Sequence, residues 1–189
     1  MDKFILASRS PRRVELLKQI NIVPDEIIPA DVVEVPLKGE LPRVYVKRLA
    51  IEKAQLVANN NPESFVMGAD TVVACGRRII EKAEDENDAK SYLKLLSGRR
   101  HKVISGICLI TPDQKIRSKV VVSVVQFKRL TANEIDTYIK LGQWQDKAGA
   151  YSIQGAAAGF VSFISGSYSN VVGLPLYEVR QLLLGAPVL

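Results

Sequence analysis

The residues best suited to chemistry are gathered in a few short segments. The first is Ser8-Arg9-Ser10-Pro11-Arg12-Arg13. Ser10 is a good N-cap and Pro11 is pre-set for the first helical position. The segment therefore reads as a polar loop entering a helix, where backbone N–H groups and the positive end of the helix dipole favour phosphate. Arg12 and Arg13 oppose that dipole, so an anionic ligand accounts for them better than helix stability does. The plainer alternative is an N-cap followed by solvated arginines. The second segment is Asp70-Thr71, directly after the apolar run Phe65-Val66-Met67-Gly68-Ala69. A carboxylate at the end of a buried strand can hold a divalent metal, activate a water, or simply cap the next turn.

Isolated charges form a third set: Glu34, Lys53 and Lys82. Lys53 falls on or beside the apolar face set by Leu49, Ala50, Ala54 and Val57, and either snorkels outward or reaches into a cleft. Lys82 follows Glu81 after a strand and reads equally as a surface pair. The fourth is Asp146-Lys147-Ala148-Gly149-Ala150-Tyr151-Ser152-Ile153-Gln154-Gly155-Ala156, in which glycines let backbone approach a ligand and Gln154 offers an amide to a base edge. The alternative is a structural loop. His101, without a partner nearby in sequence, is not expected to be catalytic. Cys75 and Cys108 lie far apart in apolar stretches, have no CxxC spacing, and read as buried free thiols in a reducing cytosol.

The elements that must position these residues alternate between strand and helix. Strands are expected at Phe4 to Ala7, Ile22 to Ile28, Phe65 to Ala69, Val103 to Ile110, Ile116 to Phe127 and Gly159 to Ile164. A hairpin about Cys75-Gly76-Arg77 joins Val72 to Ala74 with Arg78 to Ile80. Helices are expected from Pro11, from Pro42 through Val57, from Asn87 to Leu96, from the capping box Thr131-Ala132-Asn133-Glu134 to Gly142, and from Leu176 to Leu184. This alternation defines an α/β protein with a mixed, partly antiparallel sheet flanked by helices.

The chain has 189 residues, 47% hydrophobic and 24% charged, which excludes bulk disorder and needs no disulfide or metal staple. Twenty-six Lys and Arg against 20 Asp and Glu leave a net charge of +6, suited to a nucleic acid or a small phosphorylated ligand. The basic residues are dispersed among acidic ones with no interleaved aromatic run, so nucleic acid is not expected. The start has too short an apolar run for a signal peptide and no segment reaches the length of a membrane span. A cytoplasmic protein without a membrane partner is the expectation.

In order along nearly the whole chain, the segments Leu6-Ala7-Ser8-Arg9-Ser10-Pro11-Arg12-Arg13, Arg48-Leu49-Ala50, Lys53-Ala54, Gly68-Ala69-Asp70-Thr71-Val72-Val73, Leu95-Leu96-Ser97-Gly98-Arg99 with His101, Asp146-Lys147-Ala148-Gly149-Ala150-Tyr151, Ile153-Gln154-Gly155 and Gly166-Ser167-Tyr168-Ser169-Asn170-Val171-Val172-Gly173-Leu174-Pro175 resemble the Maf family of nucleoside triphosphate pyrophosphatases. The resemblance implies an elongated mixed sheet similar to that of inosine triphosphatases. It implies one domain over residues 1–189, with two lobes around a central cleft, often in a homodimer. It further implies hydrolysis of a nucleoside triphosphate to the monophosphate and pyrophosphate with a divalent cation, Mg²⁺ or Mn²⁺. Asp70 matches the catalytic proton acceptor. Arg12, Thr71 and Gln154 match positions marking the subgroup that acts on dTTP and UTP. Ser8, Arg13, Lys53 and Lys82 match polar positions suited to phosphate, and Glu34, with Asp70, a position suited to metal.

Three positions depart from the family pattern. Val33 stands where a second acidic residue is common, Ala83 replaces a usual proline and Ser152 a frequent glycine. Two other functions compatible with the composition are a non-catalytic nucleotide-binding regulator of cell division and a nucleic-acid-binding protein.

Overall fold

The computed structural model describes residues 3–186 and residue 188. The elements run β1 (Phe4–Ala7), α1 (Pro11–Gln19), β2 (Glu26–Ile27), α2 (Pro42–Ala58), β3 (Phe65–Cys75), β4 (Arg78–Ile80), α3 (Glu86–Leu96), β5 (Arg100–Ile110), β6 (Ile116–Phe127), α4 (Ala132–Lys140), β7 (Val161–Ser165), α5 (Tyr168–Val172) and α6 (Leu176–Leu184), with a 3₁₀ turn at Ala156–Phe160 before β7. The seven strands form one sheet in the order β2-β1-β3-β5-β6-β7, with β4 paired to β3. β1 is parallel to both β2 and β3, whereas β4 on β3 and β7 on β6 are antiparallel. The expected mixed α/β sheet is present.

The chain forms two compact units: one bounded by Met1–Thr71, Ser105–Val121 and Gly173–Leu189, the other by Val72–Ile104 and Val122–Val172. β3, β5 and β6 each contribute residues to both. In the first unit, α2 lies on the sheet at backbone distance. A Cβ on Gly68 would stand 2.3 Å from the Ala50 carbonyl oxygen, and one on Gly106 would stand 2.2 Å from that of Val46. Only glycine at these two positions admits so close an approach. Ala50, Ala54, Val57 and Ala58 then close a core with Ile5, Ala7, Val66, Cys108 and Ile110. Burial pushes the Cys108 thiol up to about 12; Cys75, expected to be buried, is partly exposed.

Several element boundaries differ from expectation, among them that of β5, which starts at Arg100 and not at Val103. Of Ile22 to Ile28, only Glu26–Ile27 pairs as strand. Pro24 has no N–H to donate, and the Ile22 N–H is taken by the Leu17 carbonyl at the end of α1. The strand expected at 65–69 does not stop at Asp70 but runs on to Cys75, joining the segment expected from Val72 to Ala74, because Val72, Val73 and Ala74 are as apolar as the residues before Asp70. The last strand starts later, at Val161, since the small residues Ala156–Gly159 curl into the 3₁₀ turn. α5 was not expected; it begins where the Ser167 hydroxyl accepts from the Asn170 N–H at 3.2 Å. The predicted capping box at Thr131 and Glu134 is present in full.

The second unit is centred on aromatic rings. His101 meets Phe127 edge-on at 5.0 Å and Tyr151 at 5.4 Å, and Phe160 joins Phe127 and Tyr138. Its Nε2 lies 2.9 Å from the Tyr151 hydroxyl. Burial lowers the imidazole to about 4 and raises the Tyr151 phenol above its usual range. The unfolded chain therefore binds a proton near pH 6.5 that the native state refuses until about pH 4, so this group removes stability as pH falls through that window. In urea titrations, the stability gap between wild type and His101→Gln should narrow by about 3 kcal/mol from pH 7 to pH 4. A gap independent of pH would mean that His101 titrates in the native state as it does in the unfolded chain.

Candidate active site

Strand alternation assigns Gly68 and Asp70 to one face of β3 and Ala69 and Thr71 to the other. The Gly68 face lies under α2. Lys53, one helical turn beyond Ala50, is therefore carried over Asp70. Its Nζ donates to Asp70 Oδ1 at 2.7 Å and stands 2.6 Å from Glu34 Oε1. Lys53 and Asp70 are each only 7% exposed, so Lys53 does not snorkel outward. The structure thus brings two of the isolated charges, Glu34 and Lys53, together with Asp70: two carboxylates converge on one ammonium, leaving one net negative charge. Two hard-oxygen donors in one place suit a divalent cation, which commonly takes one or two carboxylates and completes its shell with water and substrate phosphate. Among the described residues no group of three or more His, Cys, Asp and Glu side chains could hold a metal ion. A cation here would therefore rest on Asp70 and Glu34.

Glu34 comes from an irregular segment, residues 28–41, that is pinned on both sides. Arg9 pairs with Asp31 at 2.5 Å. Arg48 of α2 grips Glu40 with two bonds of 2.8 Å and donates to the Val35 carbonyl at 3.1 Å. The Glu40 side chain is almost fully covered, and its hydrogen bond with Arg48 holds it below the usual carboxylate range. Neither Glu40 nor Arg48 carried a role in the sequence reading. Arg48 stood in one of the segments that carry the resemblance, and its spacing of four from Glu52 on a helix marks only a surface pair.

On the other face of β3 lies Arg13, 9% exposed. Its Nε donates to the Gly173 carbonyl at 3.1 Å; Nη1 donates to Ser8 Oγ at 3.0 Å and to the Ala69 carbonyl at 2.8 Å; Nη2 reaches Thr71 Oγ1 at 3.4 Å. Burial draws the guanidinium's proton affinity below its usual range, against the opposing pull of Asp70 and Glu34, and it remains a cation. Four of its five N–H groups are thus committed to the protein. Ser8 likewise serves locally, accepting from Arg13 and from the Ser10 N–H. Ser10 occupies the N-cap position of α1 without a side-chain cap bond. Arg12, the neighbouring cation, is partly exposed.

Lys82 and Gln154 stand in the other unit. Lys82 is exposed and pairs as an isolated bridge with Ala148. The Gly149 N–H donates to Ile80 and Glu81 carbonyls, and a Cβ on Gly149 would lie 2.8 Å from Val73 Cγ2. A Cβ on Gly155 would lie 2.2 Å from Gln143 Oε1. Both glycines therefore admit close approach by the chain itself. Asp146, Gly149 and Ala150 all take positive φ, and the resulting turn leaves Gln154 exposed.

These features define an α/β protein with a buried carboxylate–ammonium cluster on one face of a central strand and an arginine brace on the other. The chain belongs to the Maf family: the family model described as Maf-like protein matches residues 3–186. It is 56% identical over 185 residues to the dTTP/UTP pyrophosphatase of Paramagnetospirillum magneticum, covering 98% of this chain and 97% of that one. It is 53% identical to the nucleoside triphosphate pyrophosphatase of Anaplasma phagocytophilum, covering 98% and 96%. Its fold resembles that of a HAM1 protein from Coxiella burnetii, with a TM-score of 0.55 over 98% of this chain and all of that one, at 14% identity. No helix among the described residues is long and apolar enough to cross a membrane.

Proposed function

We propose that this chain hydrolyses dTTP and UTP to the monophosphate and pyrophosphate; relatives above 50% identity are named dTTP/UTP pyrophosphatase. The observation that carries the reading is the convergence of Glu34 and Asp70 on Lys53. The reaction sets water against a phosphorus atom in a highly anionic chain, so the site must offset charge already present and stabilise more as the bond breaks. Asp70 accepts the proton of the attacking water; the water oxygen joins the α-phosphorus, and pyrophosphate leaves with the electrons of the α–β bridge. Asp70 and Glu34 would hold Mg²⁺ or Mn²⁺, which when bound neutralises phosphate charge and makes water easier to deprotonate. Lys53 holds the two carboxylates close together against their mutual repulsion and is the nearest ammonium to their oxygens. Arg12 and Lys82 would meet phosphate oxygens. Gln154, its amide presented at an exposed turn, reads the pyrimidine edge.

The test is pyrophosphate release from dTTP, UTP, CTP, GTP, ATP and 7-methyl-GTP, each with Mg²⁺ and with Mn²⁺. Selective turnover of dTTP and UTP is expected. Binding of UTP without release from any nucleotide would replace the enzyme with a nucleotide sensor.

A further inference from the structure

Thr71 Oγ1 lies 2.8 Å from Ser105 Oγ, 3.2 Å from the Gly173 carbonyl oxygen and 3.4 Å from Arg13 Nη2. Thr71 has one hydroxyl proton and Ser105 has one. Ser105 is fully buried, and Thr71 is its side chain's hydrogen-bond partner. A buried hydroxyl needs its proton placed, so the Ser105 O–H donates to Thr71 Oγ1. The Thr71 proton is then left for the Gly173 carbonyl, which also accepts from Arg13 Nε. The direction of the chain is fixed: Ser105 to Thr71 to Gly173, with Arg13 closing it. Thr71 is saturated, since its one proton is given away and its oxygen accepts from Ser105 and Arg13. Its hydroxyl has no proton or lone pair left for a nucleotide base.

Gly173 takes φ +138°, although a Cβ there would meet nothing within 4 Å. Backbone conformation, and not lack of space, requires glycine. Two donors, Thr71 Oγ1 and Arg13 Nε, fix its carbonyl. Thr71, Ser105 and Gly173 are, moreover, the residues at which three segments of the first unit end or begin. Arg13, bound to Ala69 and Thr71, holds β3 on both sides of Asp70.

We propose that Ser105 is a positioning residue, acting through Thr71 to hold the Gly173 carbonyl and the strand that carries Asp70, and that Thr71 influences turnover through this backbone lock and not by touching the nucleotide. The effect on turnover rests on the pyrophosphatase reading; the lock itself does not. Gly173-Leu174 is the one Gly-Leu pair in the sequence, so glycine carbonyl ¹³C with leucine ¹⁵N labelling yields a single correlation that reports the Gly173 carbonyl directly.

Thr71→Val should move that carbonyl upfield, as expected for a lost hydrogen bond. Ser105→Ala should move it the same way but less, since the Thr71 donor remains while its polarising partner is gone. The double variant should match Thr71→Val, because Ser105 acts only through Thr71. With UTP, kcat should fall on the order of tenfold in Thr71→Val, and less in Ser105→Ala, with KM little changed. Thr71→Ser should restore most of both signals. An unmoved carbonyl in Ser105→Ala, or additive effects in the double variant, would overturn the lock. A moved carbonyl with unchanged kcat would overturn the positioning role. Absence of turnover by wild type on every nucleotide would remove the pyrophosphatase reading, while the carbonyl signal would still decide the lock.

Discussion

Asp70→Asn should abolish nearly all pyrophosphate release from UTP while leaving the protein folded. Asparagine has the size and shape of aspartate and can still accept from Lys53 Nζ through its amide oxygen, and Glu34 remains as a counter-charge 2.6 Å from that ammonium. What is lost is the site's second negative charge and its proton acceptor. Loss of a positioned base costs on the order of 10²–10⁴-fold, and loss of a metal ligand adds to it. The measurement is kcat at saturating UTP beside a thermal melt. A variant that folds normally and turns over at the wild-type rate would leave the reaction in place but remove Asp70 from its centre.

Arg13→Lys should damage stability and rate together, although it keeps the charge. A phosphate-contacting arginine replaced by lysine loses a bidentate contact but retains an attractive point charge, so KM would rise while the melt stayed where it was. Arg13 in this structure is instead a fork whose Nε and Nη atoms meet Gly173, Ala69, Ser8 and Thr71. An ammonium cannot span four acceptors arranged for a planar guanidinium, and carbonyls buried without donors are costly. The expected loss is about 3 kcal/mol, or roughly 10 °C in Tm, with kcat reduced because the strand beside Asp70 is released. An unchanged melt with raised KM would return Arg13 to direct phosphate binding.

The two expectations separate what could be read in advance from what could not. The order of elements was legible because each has a local cause: Pro11 and Pro42 at helix starts, the capping box at Thr131, and β-branched runs in β5 and β6. The candidate residues were legible by type, since Asp70, Glu34, Lys53 and Arg13 are charges placed where packing alone would not choose them. Their partners were not. That Lys53 faces two carboxylates depends on how near α2 approaches β3, which is set by Gly68 and Gly106 against the helix backbone. Nothing in the local pattern about residue 53 records that distance. Glu40 and Arg48, which anchor the Glu34 segment, resemble ordinary surface charges until the chain has folded.

Asp70 shows the division within a single strand. Its apolar neighbours determined that it would be carried on a buried strand, because a run such as Phe65–Ala69 is costly to leave in water. Only tertiary structure decided that one face of the strand meets a lysine and the other an arginine, and that Ser105, Gly173 and Arg13, distant in sequence, saturate the hydroxyl of Thr71. Hydrophobic patterning acts between near neighbours and survives as a periodicity. Hydrogen-bond partners across more than a hundred residues, such as Thr71 and Gly173, leave no such trace, because any chain geometry that brought a carbonyl to that hydroxyl would have served.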